Sequence, residues 1–450
     1  MSTNPAWLSE APLQQLLTAT RAAGGEARVV GGAVRDWLMG IEGADLSPEA
    51  LAKGDVDVAS TLTPEQTMAI AAQQNWKAIP TGIEHGTVTL VLPNRVVEVT
   101  TLRRDVTTDG RRATVAFTND WREDAARRDF TINAMSMDAD GVVYDYFDGK
   151  NDIAHHRVVF IGDAAQRIAE DALRVLRFFR FLATHGKPPA YADALAAIAA
   201  QKGMIEDLSG ERIANEMRKL LAADAPAYAL RLMSEQGVAA LVFGSSIDPS
   251  RMIRLQLLEG QADYQCSVWA RAMVLCSFNS PLEGESHRSC DVVGGADAPQ
   301  APQRVDGLPP HGIARAMPAP PQGGSKEIAW LAHRWKLSRN EAKQLAQLVQ
   351  LPAFRQDAPR HFHTRILRLH GAPVYLDWLL TQAAMGQGVD VAPFAQLALD
   401  FVPPIFPITA KDLMAQGMKE GKALGERLAA LEMKWEESDY TLTKKDLLAS

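Results

Sequence analysis

The chain is short of the features that mark oxidised, membrane-bound or zinc-stabilised proteins. Its 450 residues hold three cysteines, Cys266, Cys276 and Cys290, with no Cys-x-x-Cys spacing. That count excludes an even disulfide framework and argues against structural zinc. No apolar run approaches the ~20 residues needed to cross a bilayer. Met1–Thr20 lacks a basic stretch followed by an apolar one, so no secretory signal is expected. The expectation is a reduced, cytoplasmic protein with no membrane contact and no obligate protein partner. No internal repeat stands out. Basic residues are also outnumbered, 47 to 54, for a net charge of −7, which argues mildly against a polyanionic partner. They nevertheless cluster, as Arg103-Arg104, Arg111-Arg112, Arg127-Arg128, then Arg174, Arg177 and Arg180, so nucleic acid stays open.

What the chain does hold is ample apolar material, 47% of residues, enough for a sizeable core and for two to four domains. Its most informative stretch is Val29–Ala59. Val29-Val-Gly-Gly-Ala-Val-Arg-Asp36 reads as a strand end, a glycine turn and the opening of a helix. Gly31 and Gly32 allow a tight turn and close approach to a phosphate, and helix N-terminal N–H groups favour an anion. Downstream, Asp55 and Asp57 alternate with Val56 and Val58, the period of a half-buried strand, so both carboxylates share a face. Two oxygen ligands held in this way suit Mg²⁺, which takes one or two carboxylates plus substrate phosphates. An isolated Gly-Gly or Asp-x-Asp is commonplace; the order of the two, with apolar interleaving, points to nucleotidyl transfer.

In chain order, Leu13, Leu16 and Leu17 predict a helix ended by Gly24-Gly25, and Ala27–Val30 a strand. The 40–54 segment reads as a long exposed excursion, and Thr63-Pro64 as a helix start with Thr63 as its cap. Thr87–Val91 and Val96–Thr101 predict a hairpin across Pro93-Asn94. Glu98, within its second strand, is either a solvent-facing residue or a third carboxylate near the aspartate pair. Arg103–Arg112, polar and charged, is expected to be a mobile loop. Asp124–Met135 begins as a helix or helical turn, with Arg128 suited to a triphosphate and Asp129 to a ribose hydroxyl. From 152 onward the pattern is helical. In Glu170–Phe181, Asp171, Arg174 and Arg177 step by three along one predicted helical face, with Leu173, Leu176 and Phe179 toward the core. That face could be an ion-pair ladder or a reader of base edges. Between 278 and 325 Pro, Gly, Ala and Ser dominate, which predicts a poorly ordered insertion carrying an exposed Cys290 thiol, with Asn279 and Ser325 close together. Gly417, Gly421 and Gly425 are spaced for close backbone approach, by another helix or by an RNA chain.

Taken together, these motifs resemble the class II tRNA nucleotidyltransferases, the bacterial CCA-adding enzymes and poly(A) polymerases, over all but the insertion. The resemblance implies a polymerase-β-like α/β nucleotidyltransferase head at 1–150 followed by helical parts. These are a neck at 151–225 that reads the base, a body at 226–385 interrupted at 278–325, and a tRNA-binding tail at 386–450. Gly32 and Arg35 match the phosphate-holding positions, Asp55 and Asp57 the metal pair, and Arg128 and Asp129 the triphosphate and ribose contacts. Asn133 is counted with these nucleotide contacts. Glu170, Asp171 and Arg174 match the protein template for CTP and then ATP, and Arg177 a further nucleotide contact. Asp55, Asp57 and Glu98 are the expected catalytic carboxylates, and two Mg²⁺ ions the expected cofactor.

The implied reaction adds or repairs the 3′-terminal CCA of tRNA from CTP and ATP, releasing pyrophosphate. Both C and A present an amine beside a ring nitrogen, so one Asp/Arg template can accept either. G and U present a carbonyl there and leave a buried group unpaired, at roughly 1–3 kcal/mol each. Pro80–Val88 looks like the CCA-adding sequence rather than the poly(A) polymerase one, and the 103–112 segment is long enough for addition beyond CC. Poly(A) synthesis and CC-only addition are the alternatives within the family. Outside it stand a catalytically inactive RNA-binding protein and a small-molecule nucleotidyltransferase.

Overall fold

A computed structural model describes residues 4–40, 56–109, 112–276, 324–386 and 389–450. Asp55, the insertion at 278–325 up to residue 323, with Cys290 and Asn279, and nearly all of the 40–54 excursion lie outside the described residues. The chain divides into two compact units, Met1–Val242 and Phe243–Ser450.

The first unit is built on a seven-stranded mixed sheet. Its strands are β1 (Ala27–Val30), β2 (Asp57–Ser60), β3 (Lys77–Gly82), β4 (Thr87–Leu92), β5 (Arg95–Thr101), β8 (Ser136–Met137) and β9 (Val143–Tyr144), in the order β3-β4-β5-β2-β1-β8-β9. β1 is an interior strand, all four of its residues are buried, and it pairs antiparallel with both β2 and β8. A charge in so buried a strand needs partners. Arg28 has them: its guanidinium lies 4.1 Å from the Trp121 ring centroid and 3.5 Å from that of Tyr144, and its Nε donates to Glu26 at 2.7 Å. β2 and β5 are parallel, Val58 opposite Val99, and β4–β5 is the hairpin the sequence predicts.

Helix Ala11–Ala22 buries Leu13, Leu16 and Leu17 as their spacing predicts. Helix Pro64–Gln73 is opened by Thr63, whose side chain accepts from the Gln66 N–H while the Gln66 side chain accepts from the Thr63 N–H. Such a reciprocal cap satisfies two donors the helix itself leaves without acceptors.

Three expectations are corrected. Arg103–Arg112 is no loop: β6 (Arg103–Asp109) and β7 (Arg112–Phe117) form a separate antiparallel ribbon. Its sequence, Val106-Thr-Thr before and Ala113-Thr-Val after, is β-branched, and only two positions, beginning with Gly110, separate the strands, the spacing of a tight hairpin. The charges had masked this pattern. Second, Glu170–Phe181 is not one helix. One helix ends at Glu170, Asp171 is extended at φ −154° and ψ 106°, and the next runs Leu173–Thr184. The Asp171 carboxylate accepts the Leu173 N–H at 3.0 Å, the local side-chain bond with which Asp competes against helix continuation. Third, among the described residues nothing comes within 4 Å of a Cβ placed at Gly417, Gly421 or Gly425, so none of the described helices packs on these glycines. Gly417 and Gly421 instead take φ of 95° and 145°, where other residues are strained.

The second unit is helical throughout its described length. Trp335, Tyr375 and Trp378 are fully buried at its centre. Further along, Ile408, Leu413, Leu424, Leu431, Trp435 and Leu447 form a core of their own. Arg368 ties helix Arg360–His370 to helix Lys422–Glu437 through Glu432 and Glu436, each at 2.6 Å. Cys266 and Cys276 are buried. Among the described residues no helix is long and apolar enough to cross a membrane.

Within the first unit, Phe130 is fully buried and bridges Phe160 by backbone pairing. Its ring also meets Phe160, Phe178 and Phe181 at centroid distances of 4.9, 6.3 and 5.3 Å. Phe130→Ala is expected to cost about 3–5 kcal/mol, read as a lower urea midpoint for the full chain at unchanged slope.

Candidate active site

Sheet register places Asp57 between Glu98 and the glycine turn. Val30 stands opposite Asp57 across β1 and β2, so the glycine turn that follows Val30 begins beside Asp57. One step back from the parallel pair Val58–Val99 lie Asp57 and Glu98, on neighbouring strands and both exposed, while Val58 and Val99 are buried. Glu98 therefore lies on the strand next to that of Asp57. Among the described residues no three His, Cys, Asp or Glu side chains converge as a ready-made metal cage. An exposed set of hard oxygen donors, few in number, fits a divalent cation that keeps water and phosphate ligands.

Gly31 has φ 73°, and a Cβ there would lie 3.5 Å from Arg128 Nη1; a Cβ at Gly32 would lie 3.5 Å from Arg35 Nη2. Both guanidiniums thus sit against the turn. Arg35 extends from the short helix Gly32–Leu38, and its Nη1 donates to Asn133 Oδ1 at 2.6 Å. Asn133 in turn donates to Asp129 Oδ1 at 3.2 Å, and Asp129 Oδ2 accepts from Arg177 Nε at 2.6 Å and pairs with its Nη2 at 2.5 Å. Gly32, Arg35, Arg128, Asp129, Asn133 and Arg177 form one continuous cluster. Burial pushes the Asp129 carboxyl up, but the Arg177 charge and hydrogen bonds from Asn133, Arg177 and the Phe130 N–H outweigh it and hold the group below its ordinary value of 3.8.

Glu170, Asp171 and Arg174 lie at the junction between the two helices. Arg174 Nη1 donates to Glu170 Oε2 at 2.6 Å and to the Arg167 carbonyl at 2.8 Å, and Nη2 to the Arg127 carbonyl at 3.3 Å. Asp171 Oδ2 accepts from Arg212 Nη2 at 2.7 Å. Because Asp171 leaves the helix, it does not share a helical face with Arg174 and Arg177.

Sequence reasoning missed Arg167, Arg212 and Asp124. Buried Arg167 bonds Glu170 and the carbonyls of Arg127 and Arg128. Asp124 holds Arg127 at 2.8 Å and Arg128 at 3.3 Å, and accepts the Arg103 N–H at the foot of the β6–β7 ribbon at 3.2 Å. Its spacing to Arg127 and Arg128, three and four residues along a helix, was the available signal. The whole is a crowd of guanidiniums arranged around fewer carboxylates, suited to a polyphosphate and to hydrogen-bonded recognition beside it.

A depressed Asp129 pKa makes a signed prediction. Its stabilising contribution is fully present above about pH 4, the unfolded value, and is lost as pH falls through the lower folded value. Urea midpoints between pH 7 and 3 are expected to fall less steeply for Asp129→Asn than for the unsubstituted chain, from a lower start.

Comparison with known proteins bears on this site directly. The family model described as "Poly A polymerase head domain" matches residues 27–159, which hold β1, the glycine turn, Asp57, Glu98 and Asp129. A second, "Probable RNA and SrmB- binding site of polymerase A", matches 192–248. The CCA tRNA nucleotidyltransferase 1, mitochondrial, of Danio rerio is 32% identical over 439 residues, 94% of this chain and 86% of that protein. The CCA-adding enzyme of Geobacillus thermodenitrificans is 39% identical over 238 residues, about half of each chain at 52% and 55%. The Bacillus stearothermophilus CCA-adding enzyme in complex with CTP superposes with a TM-score of 0.64 at 26% identity, covering 96% of this chain and 94% of that one. The chain belongs to the CCA-adding tRNA nucleotidyltransferase family.

Proposed function

We propose that this chain adds or repairs the 3′-terminal CCA of tRNA, transferring CMP twice and AMP once to the tRNA 3′-hydroxyl and releasing pyrophosphate. The observation that carries this reading is the β1–β2–β5 register, which sets Asp57 between the strand of Glu98 and the strand that leads into the glycine turn and the Arg35 helix. Family membership supplies the reaction. A cytoplasmic setting is part of the proposal and rests on cysteine usage.

Asp55, Asp57 and Glu98 are the proposed catalytic carboxylates, with the two aspartates holding Mg²⁺. Bound there, two such ions would lower the pKa of the attacking hydroxyl and offset charge on the departing pyrophosphate. Gly32 leaves room for phosphate at the turn, and Arg35 and Arg128 hold the triphosphate. Asp129, fixed by Arg177 and Asn133, faces the ribose. Glu170 fixes Arg174 so that the guanidinium presents a donor edge, and Asp171, fixed by Arg212, presents an acceptor. Arg174 has five N–H groups and directs three of its described bonds to Glu170 and two carbonyls, which leaves donors for a base. Head, neck, body and tail at 1–150, 151–225, 226–385 and 386–450, with tRNA held by the tail, complete the proposal.

A gel assay with Mg²⁺ and tRNA lacking its CCA end tests this function. CTP alone is expected to extend by two nucleotides, ATP alone to give none, and both together to give three. A long ATP ladder would establish poly(A) synthesis instead, and a stop after two with both nucleotides would establish CC-only addition.

Asp57→Asn leaves an exposed residue of the same size and is expected to cut single-turnover incorporation at least about a hundredfold through lost metal chemistry. Filter binding of tRNA is expected to be unchanged. Retention of activity would remove Asp57 from the metal site.

A further inference from the structure

Arg35 is followed by Asp36, and one oxygen of that carboxylate serves three donors. Asp36 Oδ1 accepts from Arg35 Nε at 2.8 Å, pairs with Arg35 Nη2 at 2.7 Å, and lies 3.2 Å from His185 Nε2. His185 ends the helix Leu173–Thr184, which carries Arg174 and Arg177. Its Nδ1 lies 2.5 Å from the Thr184 hydroxyl, which leaves Nε2 to Asp36. The ring packs on Phe181 at 5.6 Å, and the same Phe181 ring underlies the guanidiniums of Arg35 at 5.2 Å, Arg177 at 5.5 Å and Arg180 at 3.9 Å. The Arg35 side chain is therefore gripped at both ends, by Asp36 on one edge and Asn133 on the other, over an aromatic face.

Of these contacts, the Asp36 grip is the one a solvent-exposed group could lose. The Asp36 side chain is 37% exposed, whereas that of His185 is 11% exposed. An exposed ion pair between sequence neighbours does not hold a geometry by itself. A largely buried imidazole bonded to the same oxygen does, because it fixes the carboxylate against a second helix. Burial, with Arg35 and Arg180 nearby, lowers the imidazole pKa from 6.5 despite Asp36, so at neutral pH the ring acts as a neutral hydrogen-bonding group.

We propose that His185 and Asp36 are a positioning pair that aims the Arg35 guanidinium at the nucleotide phosphates and locks it in register with the base-reading helix. The proposal rests on the reading of Arg35 as a phosphate contact. Neither residue touches the nucleotide; both act through Arg35. The pair ties phosphate binding on one helix to base recognition on another, so that a nucleotide is held at both ends by parts that cannot shift independently.

The test measures KM and kcat for CTP and for ATP on tRNA lacking its CCA end. His185→Phe keeps the ring on Phe181 and removes the hydrogen bond. It is expected to raise KM for both nucleotides about tenfold, the scale of one lost bond to a charged group, with kcat within about twofold. His185→Gln, which keeps a neutral donor at similar reach, is expected to recover most of that KM. Asp36→Asn, which leaves His185 in place, is expected to reproduce the KM change and serves if His185→Phe does not fold. Combining His185→Phe with Arg35→Ala is expected to add little to Arg35→Ala alone, because both act on one guanidinium. An unchanged KM in His185→Phe or Asp36→Asn, or a KM rise that His185→Gln does not reduce, would overturn the pair. Arg35→Ala separates the two levels. A raised KM there with none in His185→Phe or Asp36→Asn rejects only the positioning pair, whereas no rise in Arg35→Ala rejects Arg35 as a phosphate contact.

Discussion

The site depends on one buried carboxylate. Asp129 lies in the turn before Phe130, is 7% exposed, and is held by the Arg177 guanidinium from the helix Leu173–Thr184. Removing Arg177 would leave the Asp129 carboxylate uncompensated out of water, a far larger penalty than the pair's net stabilisation. Because Asp129 also accepts from Asn133, and Asn133 from Arg35, the ion pair sets the position of the glycine-turn helix as well. Three segments distant in sequence are thereby fixed by a single set of hydrogen bonds, and the aromatic packing of Phe130 on Phe178 and Phe181 closes the same junction from the apolar side.

Guanidiniums crowd this junction, and like charges at close range repel. The structure distributes them over carboxylates and carbonyls: Arg127 and Arg128 on Asp124, Arg174 on Glu170, Arg180 on Glu216, Arg212 on Asp171. Such a lattice holds its guanidiniums in fixed positions, which lowers the rearrangement that binding of an anion would require. It also reconciles an acidic chain with a polyanionic substrate, because net charge says little about a site in which basic residues are gathered locally.

Much of this was legible in local sequence. The Thr63 cap, the strand β1, the β4–β5 hairpin and the core stripe of Leu173, Leu176 and Phe179 follow from turn chemistry and periodicity, which act over a few residues. Three features were not. The β6–β7 ribbon carries a strand pattern that its charges obscured. Asp171 sits in what reads as a helix, and its competing bond to the Leu173 N–H, with Arg212 holding the other oxygen, breaks it there. The glycines at 417, 421 and 425 are spaced for packing, yet two of them serve backbone angles instead.

The sequence by itself determined which chemistry was available: the Asp-x-Asp motif, the glycine turn, the arginine-rich motifs and the caps that delimit the elements. These depend on side-chain type and short-range spacing, which the chain carries wherever it folds. Tertiary structure alone decided the pairings. Glu98 comes beside Asp57 only because β5 joins β2 in parallel, and Asp36 meets His185 only because the end of the helix Leu173–Thr184 comes to it. Which guanidinium meets which carboxylate is likewise a long-range choice, since every arginine in the set could satisfy every acid, and only packing of the apolar faces selects among them.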